Sequence, residues 1–267
     1  MIQIGIDPDI VSIGSFVIGW HLIFMLLGTA VGMLLTFRLA KRAGFPEDTV
    51  YTACVWAFIF GLIGARISHI LDDFDFYRDN PGKIVAIWEG GLGWYGCLIG
   101  GTLVVVVYAR IKKFSLARFA DAAAPGVILG LSIGRIGCTL NGDSPGTATS
   151  LPWGFTYTDP HAFSPPWPTH PAAVYEILWN IVILAVLWRL WKRLSPDGSL
   201  FLVMLAAYSF GRFWISWVRD EPAVLGPLHQ SHIISQLLFV IAAGLLAYSK
   251  VRLVKPEAAM QPEETTP

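Results

Sequence analysis

Long apolar stretches alternate with short polar, basic or glycine-rich segments along the whole chain. Crossing a bilayer takes about 20 predominantly apolar residues. Seven stretches meet that length, near 14–37, 51–71, 92–110, 121–140, 172–190, 199–218 and 231–249. The pattern predicts an all-α polytopic membrane protein of about seven transmembrane helices. The first stretch is too long for the apolar core of a signal peptide, and Asp7 and Asp9 precede it rather than lysines, so a retained membrane helix is expected there. No soluble domain and no internal repeat interrupts the series. One transmembrane domain over 1–254, followed by a disordered tail over 255–267, is the expected organisation.

The polar segments carry a second signal. Basic residues cluster after the first span (Arg38, Lys41, Arg42), between the third and fourth (Arg110, Lys112, Lys113, Arg118), after the fifth (Arg189, Lys192, Arg193) and after the seventh (Lys250, Arg252, Lys255). With seven spans, all four clusters fall on one side, which positive charge marks as cytoplasmic. The N-terminus and the loops 72–88, 141–170 and 219–230 then lie outside, and the segment 141–170 contains no Lys or Arg.

Composition sharpens this picture only in part. Charged residues make up 14% of the 267, against about 25% in soluble domains, as a membrane protein requires. The formal net charge is zero, so no basic field points to nucleic acid. Cys54, Cys97 and Cys138 sit at unrelated spacings in apolar segments and form neither a disulfide framework nor a metal pattern. His69 with Asp72 and Asp73, or His229 with His232, are weak metal signals, and neither a metal nor a cofactor is expected.

The glycines and the leftover charges bring in chemistry. Gly126, Gly130 and Gly134 recur every four residues, as in close helix packing within lipid. Gly90, Gly91, Gly93 and Gly96 are too dense for a plain helix and suggest a broken entry into the third span. Of nineteen basic residues, thirteen lie in the clusters and two, Arg78 and Lys83, in an outer loop; Arg66, Arg135, Arg212 and Arg219 remain, each in the outer half of a span. An ionised side chain in hydrocarbon costs roughly 2.5–3.5 kcal/mol on insertion scales, so each marks a constraint. Two readings stay open. The acids Glu176, Asp143, Asp72 and Asp73 lie at the same depth and would pair with the arginines to staple helices. Alternatively, the arginines line an outward cavity for an anionic head on an apolar body, as a phospholipid has, because the planar guanidinium matches phosphate oxygens. Tyr208 precedes Arg212 by one turn and shares its face; His170 and Tyr175 flank the start of the fifth span; Trp20 and His21 lie in the first; Trp94 and Tyr95 open the third. The tryptophans read equally as interfacial belt residues.

The run GRIGCTLNGDSPGTATSLPWGFTYTDP (134–160) resembles the signature of phosphatidylglycerol–prolipoprotein diacylglyceryl transferases, as do EGGLGWYGCLIGG (89–101), GARISHIL (64–71), THPAAVYE (169–176) and DPDIVSIGSFVIGW (7–20). The resemblance covers nearly all the spans in order, and the 134–154 segment is the specific part. It implies seven membrane helices, an outer N-terminus and a site facing outward from a bacterial plasma membrane. It implies transfer of the diacylglyceryl group of phosphatidylglycerol to the lipobox cysteine thiol of a preprolipoprotein, giving a thioether and glycerol phosphate. On this likeness the family's motif arginine falls on Arg135, its second essential arginine on Arg212 with Tyr208, its loop asparagine and glycines on Asn141, Gly142 and Gly146, and its HP-x-x-x-YE segment on His170, Pro171, Tyr175 and Glu176. Arg66 is a further phosphate candidate. The sequence departs from the family where a histidine, the family's candidate base, is commonly found and Tyr95 stands here; His21 occupies a position usual for tyrosine, and Cys138 one usual for asparagine. His21 is therefore the expected base, with Tyr95 as its partner. A transporter, a lipid-binding protein or a paralogue of altered activity is the rival reading; transporters commonly show repeat symmetry and polar residues on both halves of their spans, and this chain shows neither.

Overall fold

The computed structural model describes residues 1–13, 16–86 and 90–254. The expected tail over 255–267 lies outside the described residues. The chain folds into helices α1 (Trp20–Arg42), α2 (Glu47–Asp72), α3 (Phe74–Asp79), α4 (Trp94–Lys112), α5 (Leu116–Asn141), α6 (Ala172–Leu190), α7 (Ser199–Ser216) and α8 (Gln230–Tyr248). All but the short α3 are long and apolar enough to cross a membrane, seven among the described residues. Exposed Leu, Ile, Val and Phe side chains cover these helices, such as Leu26, Ile63, Leu103, Ile181 and Val240, as a lipid-facing surface requires.

Several boundaries differ from expectation, and two of the differences bear on the site. The apolar residues before Trp20 form the short strands Asp9–Ile13 and Phe16–Gly19, and α1 starts at Trp20 rather than near residue 14. Short apolar runs do not distinguish strand from helix, because both bury them. α7 ends at Ser216, which leaves Arg219 beyond the helix.

The described residues divide into two compact units. The first comprises Met1–Val11, Ile18–Thr36 and the chain from Ala117 onward. Here Gly126 and Gly130 of α5 lie against Gly28 and Gly32 of α1 so closely that a Cβ on any of them would run into the facing backbone. Gly134 continues the row against Met25. Close backbone approach is what small residues supply in lipid, where burial of apolar surface gives no net drive. On the other side of α5, Ala124 and Ile128 pack with Ile183 and Leu187 of α6 and Leu200 and Met204 of α7. α5 is therefore the most enclosed span, with 44% of its most apolar window buried. The long connection between α5 and α6 is tied down by main-chain bonds. Its strand Phe155–Tyr157 pairs in parallel with Ile2–Ile4, and bridges join Ala148 to Thr169 and Gly146 to Arg219.

The second unit comprises Ser12–Val17 and Phe37–Leu116. α2 and α4 pack through facing glycines, Gly61 and Gly64 against Cys97, Gly96 and Gly100. Gly90 and Gly91 stand outside any helix with φ of +88° and +75°, and α4 begins only at Trp94. Gly90, Gly91 and Gly93 thus form the non-helical entry into α4, and Gly96 lies in its first turn. Positions 90 and 91 need glycine because L side chains rarely adopt this left-handed backbone.

Candidate active site

In the first unit, one end of the bundle gathers the polar residues. α5 and α7 end there, and α1, α6 and α8 begin there. Glu176, in the second turn of α6, is the hub: its side chain is 1% exposed and accepts from three donors. Arg135 Nε lies 3.0 Å from Oε1, the Tyr208 hydroxyl donates to Oε1 at 2.9 Å, and Arg212 Nη1 donates to Oε2 at 3.2 Å. A carboxylate removed from water is tolerated only when its lone pairs are filled in this way. Tyr208 and Arg212 reach one acid because they lie four residues apart on one face of α7. Arg212 then passes the pairing on: its Nη2 donates to Glu221 Oε1 at 3.0 Å. Glu221 also accepts from Arg219 Nε and from the Ser231 hydroxyl, each at 2.6 Å.

This network holds three arginines (135, 212 and 219) and two glutamates (176 and 221), one cation more than anions. Its free donors sit on Arg135 and Arg219. Arg135 Nη1 has only long contacts, 3.4 Å to Ser144 Oγ and 3.7 Å to Cys138 Sγ. Arg219 Nη1 is buried with no hydrogen-bond partner. Burial, with Arg212 and Arg135 nearby, pushes the Arg219 guanidinium below its usual range. Burial works against the Glu221 carboxylate too, but the Ser231 hydrogen bond and Arg219 more than offset it, and its pKa lies below the ordinary value.

Beside the network lies a second group. His21, in the first turn of α1, places Nδ1 2.7 Å from Asp143 Oδ2 and 3.6 Å from Cys138 Sγ. Burial raises the cost of charge on Asp143, yet the hydrogen bond from His21 brings its pKa below the ordinary range. Asn141 fixes the start of α1, since its Oδ1 accepts from the His21 backbone amide at 3.2 Å. Gly142, at φ +70°, turns the chain under the Tyr157 ring, where a Cβ would sit 3.1 Å from ring carbons. The Tyr157 hydroxyl donates to the Thr139 carbonyl at 2.7 Å. One sulfur atom, Cys138 Sγ, thus touches both the imidazole and the open edge of Arg135.

The other candidates take separate places. His170 Nδ1 lies 3.3 Å from the Tyr175 hydroxyl, which accepts from Trp153 Nε1 at 2.9 Å, and neither side chain joins the glutamate network. Gly146 packs against the His170 and Val218 backbones, where a side chain has no room. Arg66 and Tyr95 belong to the second unit. Arg66 is buried and donates to carbonyls only: Nε to Ile84 at 2.8 Å, Nη1 to Gly90 at 2.8 Å and Gly91 at 2.9 Å, and Nη2 to Lys83 and Ala86. Asp72 and Asp73, expected as possible partners, take no part in that cage. Asp143, also expected as a partner for arginine, pairs with histidine instead. Sequence reasoning missed Glu221, Ser231 and the joining of Asp143 to His21. Glu221 does carry one signal, as a carboxylate two residues from an arginine otherwise without a named partner.

The prolipoprotein diacylglyceryl transferase family profile matches residues 8–248. A Trichormus variabilis protein named phosphatidylglycerol–prolipoprotein diacylglyceryl transferase is 33% identical over 97% of this chain and 95% of its own length. Proteins of the same name from Listeria innocua and a Nostoc species are 32% and 35% identical, over 94% and 92% of this chain and 92% and 90% of their own. Arg135, Glu176 and Arg212 all lie within the matched region, and this chain, with its seven apolar helices, belongs to the prolipoprotein diacylglyceryl transferase family, a family of membrane transferases.

Proposed function

We propose that this protein transfers the diacylglyceryl group of phosphatidylglycerol to the lipobox cysteine of a preprolipoprotein, with Arg135 holding the donor phosphate and His21 accepting the thiol proton. The observation that carries this reading is the meeting of Arg135 and His21 on either side of one sulfur atom, beside a network one cation in excess. A phosphodiester carries one negative charge, which that excess matches. Glu176 takes Nε of Arg135 and turns the terminal nitrogens outward, where two parallel donors suit two phosphate oxygens. Tyr208 and Arg212 act through Glu176 by filling its remaining lone pairs.

The step is a displacement at carbon. The thiol gives its proton to His21 Nε2, and its sulfur attacks the glyceryl carbon bonded to the phosphate oxygen. That C–O bond breaks and glycerol phosphate leaves with the electron pair. Asp143 accepts from Nδ1–H, which leaves Nε2 with the lone pair a base needs. A free thiol ionises near pH 8.5, so the base has a modest task. The greater one is stabilising charge on the leaving oxygen, where preorganised cationic donors out of water act strongly.

The basic ends of α1, α4 and α6 support an orientation with those ends in the cytoplasm of a bacterial plasma membrane and the site toward the outer face. The test is a transfer assay with purified protein, phosphatidylglycerol and a lipobox peptide. A peptide heavier by one diacylglyceryl group, with equimolar glycerol phosphate, is the expected result. No product beside an active family member would overturn the reading.

A further inference from the structure

Cys138 has no part in the transfer described above, yet it is buried between two titratable side chains. His21 Nδ1, Cys138 Sγ and an Asp143 carboxylate oxygen all lie within 4.8 Å of one another. We propose that these three side chains form a binding site for a soft divalent cation of the zinc type, with solvent as the fourth ligand.

The donor set is one nitrogen, one sulfur and one oxygen, which suits zinc and excludes magnesium or calcium as the favoured ion. A tetrahedral zinc with usual Zn–S and Zn–N lengths separates sulfur from nitrogen by about 3.6 Å. The observed Nδ1 to Sγ distance is 3.6 Å. The carboxylate, at 2.7 Å from Nδ1, needs to swing outward by about half an ångström to reach the same geometry. It can do so from a loop position just past α5. Charge also balances: a thiolate and a carboxylate neutralise the cation, so the nearby Arg135 meets a neutral cluster and keeps its own partner, Glu176. The ligands are held from behind, since Asn141 fixes the His21 backbone and Cys138 lies on the rigid α5. The His21 side chain is 40% exposed, which leaves an approach for the ion and its water. Occupancy takes Nδ1 and Asp143 from each other, so under the transfer reading a metal-loaded site is an inhibited one. The binding claim itself does not depend on that reading.

The test uses purified full-length protein in detergent with cobalt(II) as a spectroscopic stand-in for zinc. A sulfur-to-cobalt charge-transfer band that zinc bleaches is expected. Cys138→Ala keeps Cys54 and Cys97 and loses the band, with zinc affinity falling on the order of 10²-fold or more; Asp143→Asn weakens it. A band that survives Cys138→Ala places the metal elsewhere and overturns the proposal, as does no band at millimolar cobalt in folded wild-type protein. Should Cys138→Ala fail to fold, zinc-edge X-ray absorption of the wild type decides: one sulfur in the first coordination sphere supports the site, and none overturns it.

Discussion

Two arginines, the buried Arg66 and the half-buried Arg135, one in each unit, show how differently the same side chain is used. Arg66 spends its donors on five main-chain carbonyls of the segment from Lys83 to Gly91, and Tyr77 stacks over its face at 5.1 Å. Its fork is filled, and its acceptors are neutral. Arg135 meets one carboxylate through Nε and leaves its terminal edge on long contacts to Ser144 and Cys138. A guanidinium saturated by backbone is a scaffold that holds a loop. One pinned by an acid, with its fork open, is on the proposed reading available to an anion that the protein does not itself supply.

The comparison breaks first at Arg135. Arg135→Ala is expected to lower kcat/KM for transfer by about 10³-fold, since removing a single preorganised donor from an anion hole already costs 10²–10³. Arg135→Lys restores little, because an ammonium offers no fork. Arg135→Ala takes one donor from the buried Glu176 and should melt below the wild type, so activity is compared per folded protein, with folding followed by tryptophan fluorescence in detergent. An active, correctly folded Arg135→Ala protein would refute the phosphate assignment.

Arg66→Met has the complementary expectation. It takes the donor from five carbonyls, four part-buried and one buried, and a buried group left unsatisfied costs about 1–3 kcal/mol, so a loss of about 3 kcal/mol and a clearly lower melting temperature should follow. The folded fraction should retain activity within about tenfold, measured against active protein by titration. A stable Arg66→Met protein that is as inactive as Arg135→Ala would erase the distinction between the two arginines.

How far the sequence reveals these roles depends on what kind of atom does the work. The seven spans are legible because a bilayer demands about 20 apolar residues, and no other signal imitates that length. Arg135 is legible because an ionised side chain stands out in an apolar run. The cage around Arg66 is not, since its acceptors are backbone oxygens that every residue carries. Nor is the pairing of His21 with Asp143, which are 122 positions apart and meet only because α1 and α5 share a glycine seam. The start of α1 at Trp20 escapes for another reason: the apolar residues before it form strand, and a short apolar run does not say which element it joins.

Asp143→Asn probes the neighbouring pair with a smaller effect. Losing the carboxylate removes the preference for the tautomer with a free Nε2, and a fall of about 10²-fold at pH 7 is expected. The deficit should narrow toward pH 9, where the substrate thiol ionises without help. Loss that is constant across that range would mean that Asp143 shapes the site but does not orient the base.

The smallest effect concerns the far end of the charge network, and it concerns stability. Glu221 has a lowered pKa in the folded state, because the Ser231 hydrogen bond and Arg219 outweigh its burial. A carboxyl depressed in this way contributes stability that is fully present above its unfolded pKa, near 4.3, and is lost as pH falls through the folded value. The melting temperature should therefore stay level from pH 7 down to about 5 and decline below about 4.3. Glu221→Gln should cost on the order of 1–3 kcal/mol at pH 7, as one partner of a charged hydrogen bond is removed. It should also flatten the acid decline, since the variant has no proton to take up there. An undiminished acid decline would assign the effect elsewhere, with Asp143 the first candidate, since its bond to His21 follows the same sign and lies in the group beside Arg135. Glu221→Gln combined with Asp143→Asn then separates the two, because only the Asp143 change should also alter the pH profile of transfer.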